Sequence, residues 1–193
     1  MYDMSDADAR TRLIDSTREL LWERGYAAMS PRAIMQRAEV GQGSMYHHFT
    51  GKADLAATAF ADNAERTLAA ARRSLAGAGS ARERLIGYLN RRREVLRGCP
   101  VGRMAQDAEA LDTPELAAVL RETFAELRGL AAAAAAEGVA SGELPEHVDP
   151  DELAETVLAV VQGGYVLARA EGSPVPFDRA VAGAVALIKA ASC

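Results

Sequence analysis

An all-α fold follows from three features of this sequence. Alanine, the strongest helix former and a poor strand former, supplies much of the 49% hydrophobic share, while aromatic residues reach only 5%. Apolar side chains recur three and four residues apart in one segment after another. Glycine- and proline-bearing breakers separate those segments, and none of them alternates as a strand would. The expected architecture is an N-terminal three-helix unit joined by a long fourth helix to a larger helical domain, about nine helices in all.

From Ala9 to Arg24, Leu13, Thr17 (through its methyl), Leu20 and Leu21 form one face; Arg24 sits in the last turn and Gly25 stops the helix. Ser30 and Pro31 open the next helix as N-cap and first helical residue, and "PRAIMQRA" turns Ile34 and Ala38 to one side. After the turn "EVGQ", the segment "GSMYHHF" is too short to be stable alone. Met45 and Phe49, four residues apart, point inward, which leaves Ser44, Tyr46, His47 and the residues just before them outward. Lys52 opens the long helix, with Ala56, Ala59, Phe60, Asn63, Ala64 and Leu68 on its pattern as far as Leu75, and "GAGS" from Gly77 to Ser80 ends it.

Further helices are expected beyond that point. One runs from Ala81 to Arg97 with Leu85, Tyr88, Leu89 and Leu96 on its pattern, and the tight connection "GCPVG" leads to a short one through Leu111. Thr113 caps a long helix with Leu116, Leu120, Phe124 and Leu127 inward, ending near Gly142. Asp149 caps another with Pro150 at its first position, reaching about Ala170, and Phe177 to Ala191 forms the last. The run Ala131 to Ala136 reads as helix surface under no side-chain constraint, and Arg91-Arg92-Arg93 as a solvated helix face paired with nearby acids.

Composition narrows the function. No apolar run approaches the roughly 20 residues of a membrane-spanning helix, and the opening "MYDMSDADAR" is too acidic and polar for a signal or transit peptide. Two cysteines, Cys99 and Cys193, make no disulfide framework, which points to a reducing cytoplasm; Cys99 reads as a small buried residue beside Pro100. There is no metal-ligand cluster, no phosphate loop after a strand and no Ser/His/Asp grouping, so neither an enzyme nor a cofactor is expected. His47 and His48 are adjacent and face different ways on a helix, with His147 far off, which argues against a metal. A net charge of −5 argues against nucleic acid on its face, yet from Pro31 to Lys52 only Glu39 opposes Arg32, Arg37 and Lys52.

A helix, a sharp turn and a short helix of exposed polar residues make a helix-turn-helix pattern. Over Leu13 to Leu55 the chain resembles the DNA-binding domain of TetR-family regulators. The shared features are "ERGY" closing the first helix, serine opening the second, "GSMYHHF" on the third and "GK" opening the fourth. The resemblance implies a DNA-binding domain over residues 1–51 and an effector-binding and dimerisation domain over 52–193. The implied partners are a double-stranded DNA operator, a small-molecule effector and a second copy of the chain, with no membrane.

On the DNA side the resemblance implies Ser30, Arg32, Arg37, Gln42, Gly43, Ser44, Tyr46, His47 and Lys52. Residue chemistry gives reasons for most of them. Gly43 lets backbone approach a phosphate, and the Ser44 and Tyr46 hydroxyls donate to phosphate oxygens. Gln42 has the amide that pairs bidentately with adenine, Lys52 adds charge near a helix N-terminus, and Arg32 or Arg37 reaches the backbone. Two departures stand out: Glu39 occupies a turn position where the family has glycine, and Gly41 replaces the usual serine cap.

In the larger domain the expected effector residues are Tyr88, Met104, Phe124, Leu127, Leu158, Gln162 and Tyr165, which suit an apolar cavity with a few polar handles. The expected dimer residues are Gly163, Gly164, Ala168, Val181, Ala184, Val185 and Ile188, several of them small enough for close helix approach. "GCPVG" and "QGGYVLARA" are similar to repressors related to LmrA and YxaF, which implies a drug-like or aromatic effector. Together these features describe a repressor that binds a palindromic operator as a homodimer and is released by a small apolar or aromatic effector. A regulator without an effector, and an all-α interaction module that does not bind DNA, are the alternatives.

Overall fold

The computed structural model describes the backbone of residues 4–191 and the side chains from residue 7 onward; Cys193 and the first residues of the acidic opening lie outside it. The described residues form nine α-helices and no strand. These are α1 (Met4–Arg24), α2 (Pro31–Ala38), α3 (Gln42–His48), α4 (Lys52–Leu75), α5 (Ala81–Asn90), α6 (Ala108–Asp112), α7 (Pro114–Ala140), α8 (Pro150–Glu171) and α9 (Val175–Ala190). Single 3-10 turns lie at Val95–Arg97 and Met104–Gln106. Two compact units result, and they are not contiguous in sequence, unlike the division expected at residue 51. One runs to Arg66 and takes in Pro100–Glu122; the other holds Thr67–Cys99 and the chain from Thr123 onward.

The first unit is organised by α1, which packs against α2 and α3. Its expected stripe of Leu13, Thr17, Leu20 and Leu21 is buried, as are Ile34 and Ala38 of α2 and Met45 of α3. Polar bonds fasten α1 to α4. Arg18 Nη1 donates to Asp62 Oδ2 at 2.9 Å, and Arg66 Nε donates to the same oxygen at 2.8 Å. Asn63 Nδ2 adds a bond to the Arg18 carbonyl at 3.3 Å. Burial works against the charge on Asp62, but the bonds from Arg18 and Arg66 outweigh it and hold the carboxyl below its usual range.

In the second unit α8 packs along α9, and α5 also contacts α9. Gly164 permits the α8–α9 approach: a Cβ there would lie 2.8 Å from Phe177 Cδ2. The Tyr165 and Phe177 rings lie 5.0 Å apart beside it. The alanine run corrects the expectation of an unconstrained surface, because Ala131, Ala134 and Ala135 are fully buried. One turn further on, a Cβ at Gly138 would come within 2.9 Å of Leu144 and 3.1 Å of Ala81. Small residues are placed there because neighbours press against α7.

The helix expected to reach Arg97 ends at Asn90 instead. Arg93 explains the early stop. Its Nη1 donates to the Leu89 carbonyl at 2.8 Å and the Arg91 carbonyl at 2.7 Å, and its Nη2 to the Tyr88 carbonyl at 2.6 Å. Those bonds satisfy carbonyls that a terminating helix leaves open. Two corrections follow: Leu96 is half exposed on the 3-10 turn, and the three arginines do not form a solvated helix face. Thr113 also differs, its hydroxyl donating back to the Glu109 carbonyl at 2.7 Å rather than forward into α7.

Asp62 yields a pH prediction. A carboxyl depressed in the folded state contributes stability that is present above its unfolded pKa and lost as pH falls through the folded one. The Asp62→Asn variant is expected to melt below the parent at neutral pH, with the gap closing as pH falls below about 4. Thermal melts across pH check it; a gap constant with pH contradicts it.

Candidate nucleic-acid interface

Ser30 Oγ accepts the Ala33 N–H at 3.2 Å, and Pro31 follows at the first helical position, so α2 starts where its sequence says. Glu39 ends α2 at φ 54°, ψ 43°, the single non-glycine residue with positive φ among those described. This conformation folds the chain back sharply, with the Val40 N–H donating to the Met35 carbonyl at 3.1 Å. Gly41 then caps α3 through its extended backbone without a side-chain bond. Both departures from the family pattern are thus present in the backbone.

Met45 and Phe49 are buried and anchor α3. The residues on its other side are left to solvent: Gln42, Gly43, Tyr46 and His47 are exposed and Ser44 is partly so, with Tyr46 at 51%. Apart from its chain neighbours and the backbone of its own helix, nothing lies within 4 Å of the position a Cβ would take on Gly43, so this backbone is open to close approach. Arg32, Met35, Gln36, Glu39, Val40, Gly41 and Gln42 line a shallow cleft of about 520 Å³ where α2 meets α3.

The cations are arranged differently from the sequence expectation. Arg37 donates two bonds to Glu23, at 2.7 and 3.0 Å, and this bonding raises its pKa. Lys52 Nζ lies 3.1 Å from Glu109 and 3.9 Å from the centre of the Tyr26 ring, its side chain only 20% exposed. Arg37 and Lys52 are therefore engaged by acids of their own unit, while Arg32 is exposed with no acid partner among the described residues. The outward face of α3 offers hydroxyls and amides more than bare charge.

Asp107 and Glu109 were not singled out in the sequence. Asp107 Oδ2 accepts the Ala27 N–H at 2.9 Å, while its Oδ1 accepts the Ala110 N–H at 3.1 Å and caps α6. Gly25, at φ +82°, makes room for this: a Cβ there would sit 2.7 Å from Asp107 Oδ2. Asp107 ahead of an alanine-rich stretch reads locally as an N-cap, but nothing nearby in sequence encodes its partner 80 residues upstream.

Residues 13–59 match the family description "Bacterial regulatory proteins, tetR family", and residues 80–184 match "Tetracyclin repressor-like, C-terminal domain". The chain belongs to the TetR family. It is 33% identical over 177 residues to the transcriptional regulator AcuR of Cereibacter sphaeroides, covering 87% of this chain and 80% of that protein. It is also 33% identical over 87 residues to the transcriptional repressor KstR of Mycolicibacterium smegmatis, covering 44% of this chain and 43% of that protein. A TetR regulator from Chloroflexus aurantiacus superposes with a TM-score of 0.85 at 27% identity, over 97% of both chains.

Within this TetR-family fold the remaining expected residues separate. Gly164, Ala168, Val181 and Ile188 are buried within their own unit, Gly164 against Phe177, and Ile188 also lines an apolar groove between α8 and α9. Gly163 is exposed, and Ala184 and Val185 are partly buried. The sequence reading missed the exposed apolar residues Val166, Leu167 and Leu187, the last at 73%. Of the expected effector residues, Tyr88, Leu127, Leu158 and Tyr165 are buried in the second unit, Phe124 and Gln162 are partly buried there, and Met104 is buried in the first. Among the described residues no helix is long and apolar enough to cross a membrane.

Glu39 provides a test of the turn. Glu39→Gly relieves the left-handed strain and is expected to stabilise the protein by about 1 kcal/mol, read by urea denaturation. A destabilised variant would contradict the strain argument.

Proposed function

We propose that this TetR-family regulator binds a palindromic operator as a homodimer and acts as a repressor released by a small effector with an apolar or aromatic body. The carrying observation is the two-sided character of α3: Met45 is buried while Gln42, Gly43, Tyr46 and His47 face solvent. Tyr46 and Ser44 hold phosphate oxygens, Gln42 reads a base edge, and Arg32 and the exposed His47 contribute at the backbone. Ser30 acts by capping α2. Arg37 and Lys52 act mainly by holding the domain together through Glu23 and Glu109. Such a DNA target belongs in the cytoplasm.

One seven-residue helix makes too few contacts for specific binding, and a two-fold dimer reads two half-sites about 34 Å apart or a multiple of that. An apolar groove of about 510 Å³, lined by Leu153, Val157, Gly183, Ala184 and Leu187 among others, supports an α8–α9 face for the second copy. The open position at Gly183 and the exposed Leu187 suit close helix approach there. Effector binding in the second unit alters the inclination of α4, whose residues belong to both units, and changes the spacing of the two α3 copies. The similarity to the transcriptional repressor KstR supports the sense of regulation.

Gel shift with the DNA upstream of the protein's own gene, at stated salt, tests the reading against a scrambled duplex. Equal affinity for both would leave only nonspecific binding and overturn it. Tyr46→Phe and Ser44→Ala are each expected to weaken operator binding about five- to tenfold, roughly 1 kcal/mol, with the dimer unchanged on size-exclusion chromatography. Gln42→Ala is expected to relax preference at one base position by about 1–3 kcal/mol in a competition series of single-base operator variants. Uniform weakening across that series contradicts its role as a base reader.

A further inference from the structure

The end of α5 gathers two guanidiniums with no carboxylate. Arg91 Cζ lies 5.5 Å from the centre of the Tyr88 ring; Arg93 Cζ lies 5.2 Å from the same ring and 5.7 Å from that of Phe177. Tyr165 stacks obliquely on Phe177 at 5.0 Å, and Tyr88 and Tyr165 are both buried. Glu126 pairs with Arg72, Glu137 with Arg84 and Glu155 with Arg128, and among the described residues no ion pair joins a carboxylate to Arg91 or Arg93. Arg91 Nη1 and Arg93 Nε are buried and make no hydrogen bond.

That arrangement is costly for the protein alone. Two like charges lie beside the same aromatic ring, and burial, together with the charge of Arg91, lowers the pKa of Arg93. Arg93 has three carbonyl bonds that hold it in place, so it is fixed before any ligand arrives. Burial pushes the Tyr88 and Tyr165 hydroxyls above the usual phenol range, which keeps both as proton donors. An anion would supply the charge that the unit's own acids do not.

We propose that Arg91 and Arg93, beside the Tyr88 ring and near Tyr165, bind the carboxylate of a small organic acid, and that this acid is the effector. The inference rests on the ligand-responsive reading above and names the chemical class of that ligand. The donor count favours a monocarboxylate. Three of the Arg93 donor bonds are already made to carbonyls, leaving few N–H groups for the extra oxygen and second charge of a phosphate. The rings of Tyr88, Tyr165 and Phe177 offer an apolar flank to the ligand's body.

Calorimetry on the full chain without DNA tests the proposal, using benzoate and hexanoate, each against its neutral amide, with inorganic phosphate as a third arm. At least one acid is expected to bind, with its amide and phosphate each at least about tenfold weaker. Arg91→Gln is the decisive variant, since the buried Arg91 Nη1 has no hydrogen-bond partner to lose and the substitution keeps the backbone carbonyl that Arg93 uses; it is expected to lose acid binding by about ten- to a hundredfold. Its ligand-free melting temperature is expected to equal or exceed that of the parent, whereas a purely structural arginine would lower it. Failure of both acids to bind at millimolar concentration, equal binding of acid and amide, tighter binding of phosphate, or an unchanged Arg91→Gln variant overturns the assignment. A gel shift released by a neutral compound would overturn the charge class while leaving the ligand-responsive regulator standing; loss of specific DNA binding would strike only the proposed function.

Discussion

A helix of seven residues cannot hold itself together in water, and α3 is such a helix. Its existence depends on Met45 and Phe49 being sunk among apolar neighbours, with α1 packed against it. Because the inward side chains carry the stability, the outward ones are released from it. Gln42, Gly43, Ser44, Tyr46 and His47 form a poor helix by propensity, and they are tolerable only because packing overrides propensity at this place. The left-handed Glu39 and the bare Gly41 cap add to the same dependence, since each weakens local structure that tertiary contacts must then restore.

Charge is paired within both units, but unevenly. In the first, Arg18, Arg37 and Lys52 are matched with Asp62, Glu23 and Glu109, so the domain expected to meet a polyanion carries these three cations already paired. Neutral donors, hydroxyl and amide, remain on the α3 face. The second unit pairs many of its arginines in the same way but leaves Arg91 and Arg93 among aromatic rings. A net charge of −5 conceals both patterns, and the sign of the whole chain says little about either surface.

Much of the fold was legible because its signals are local. Ser30 with Pro31, Asp149 with Pro150, and Gly25 after Arg24 mark ends that the backbone respects, and apolar spacing located the inward faces of α1 to α4. What escaped was set by distant partners. The periodicity through Leu96 looks helical, yet Arg93 closes α5 by turning onto its own carbonyls. The alanine run carries no sign of which faces are covered, because alanine is equally at home against solvent and against another helix. Of the residues expected at a dimer interface, Gly164 was legible as a close-approach position but not as one taken up by Phe177. The hydroxyls and amides of α3 were legible because a short amphipathic stretch leaves few places to point.

The carboxylate of Asp107 makes the N-terminal unit incomplete on its own. A fragment cut after α4 would keep the motif of residues 13–59 but lose the acceptor for the Ala27 N–H and the acid facing Lys52. Transplanting this reading head onto a different sensory body would therefore demand that the strap from Pro100 to Glu122 travel with it, or that the recipient supply a matching acid at the same spot. Such a discontinuous unit cannot be exchanged intact as a simple N-terminal segment.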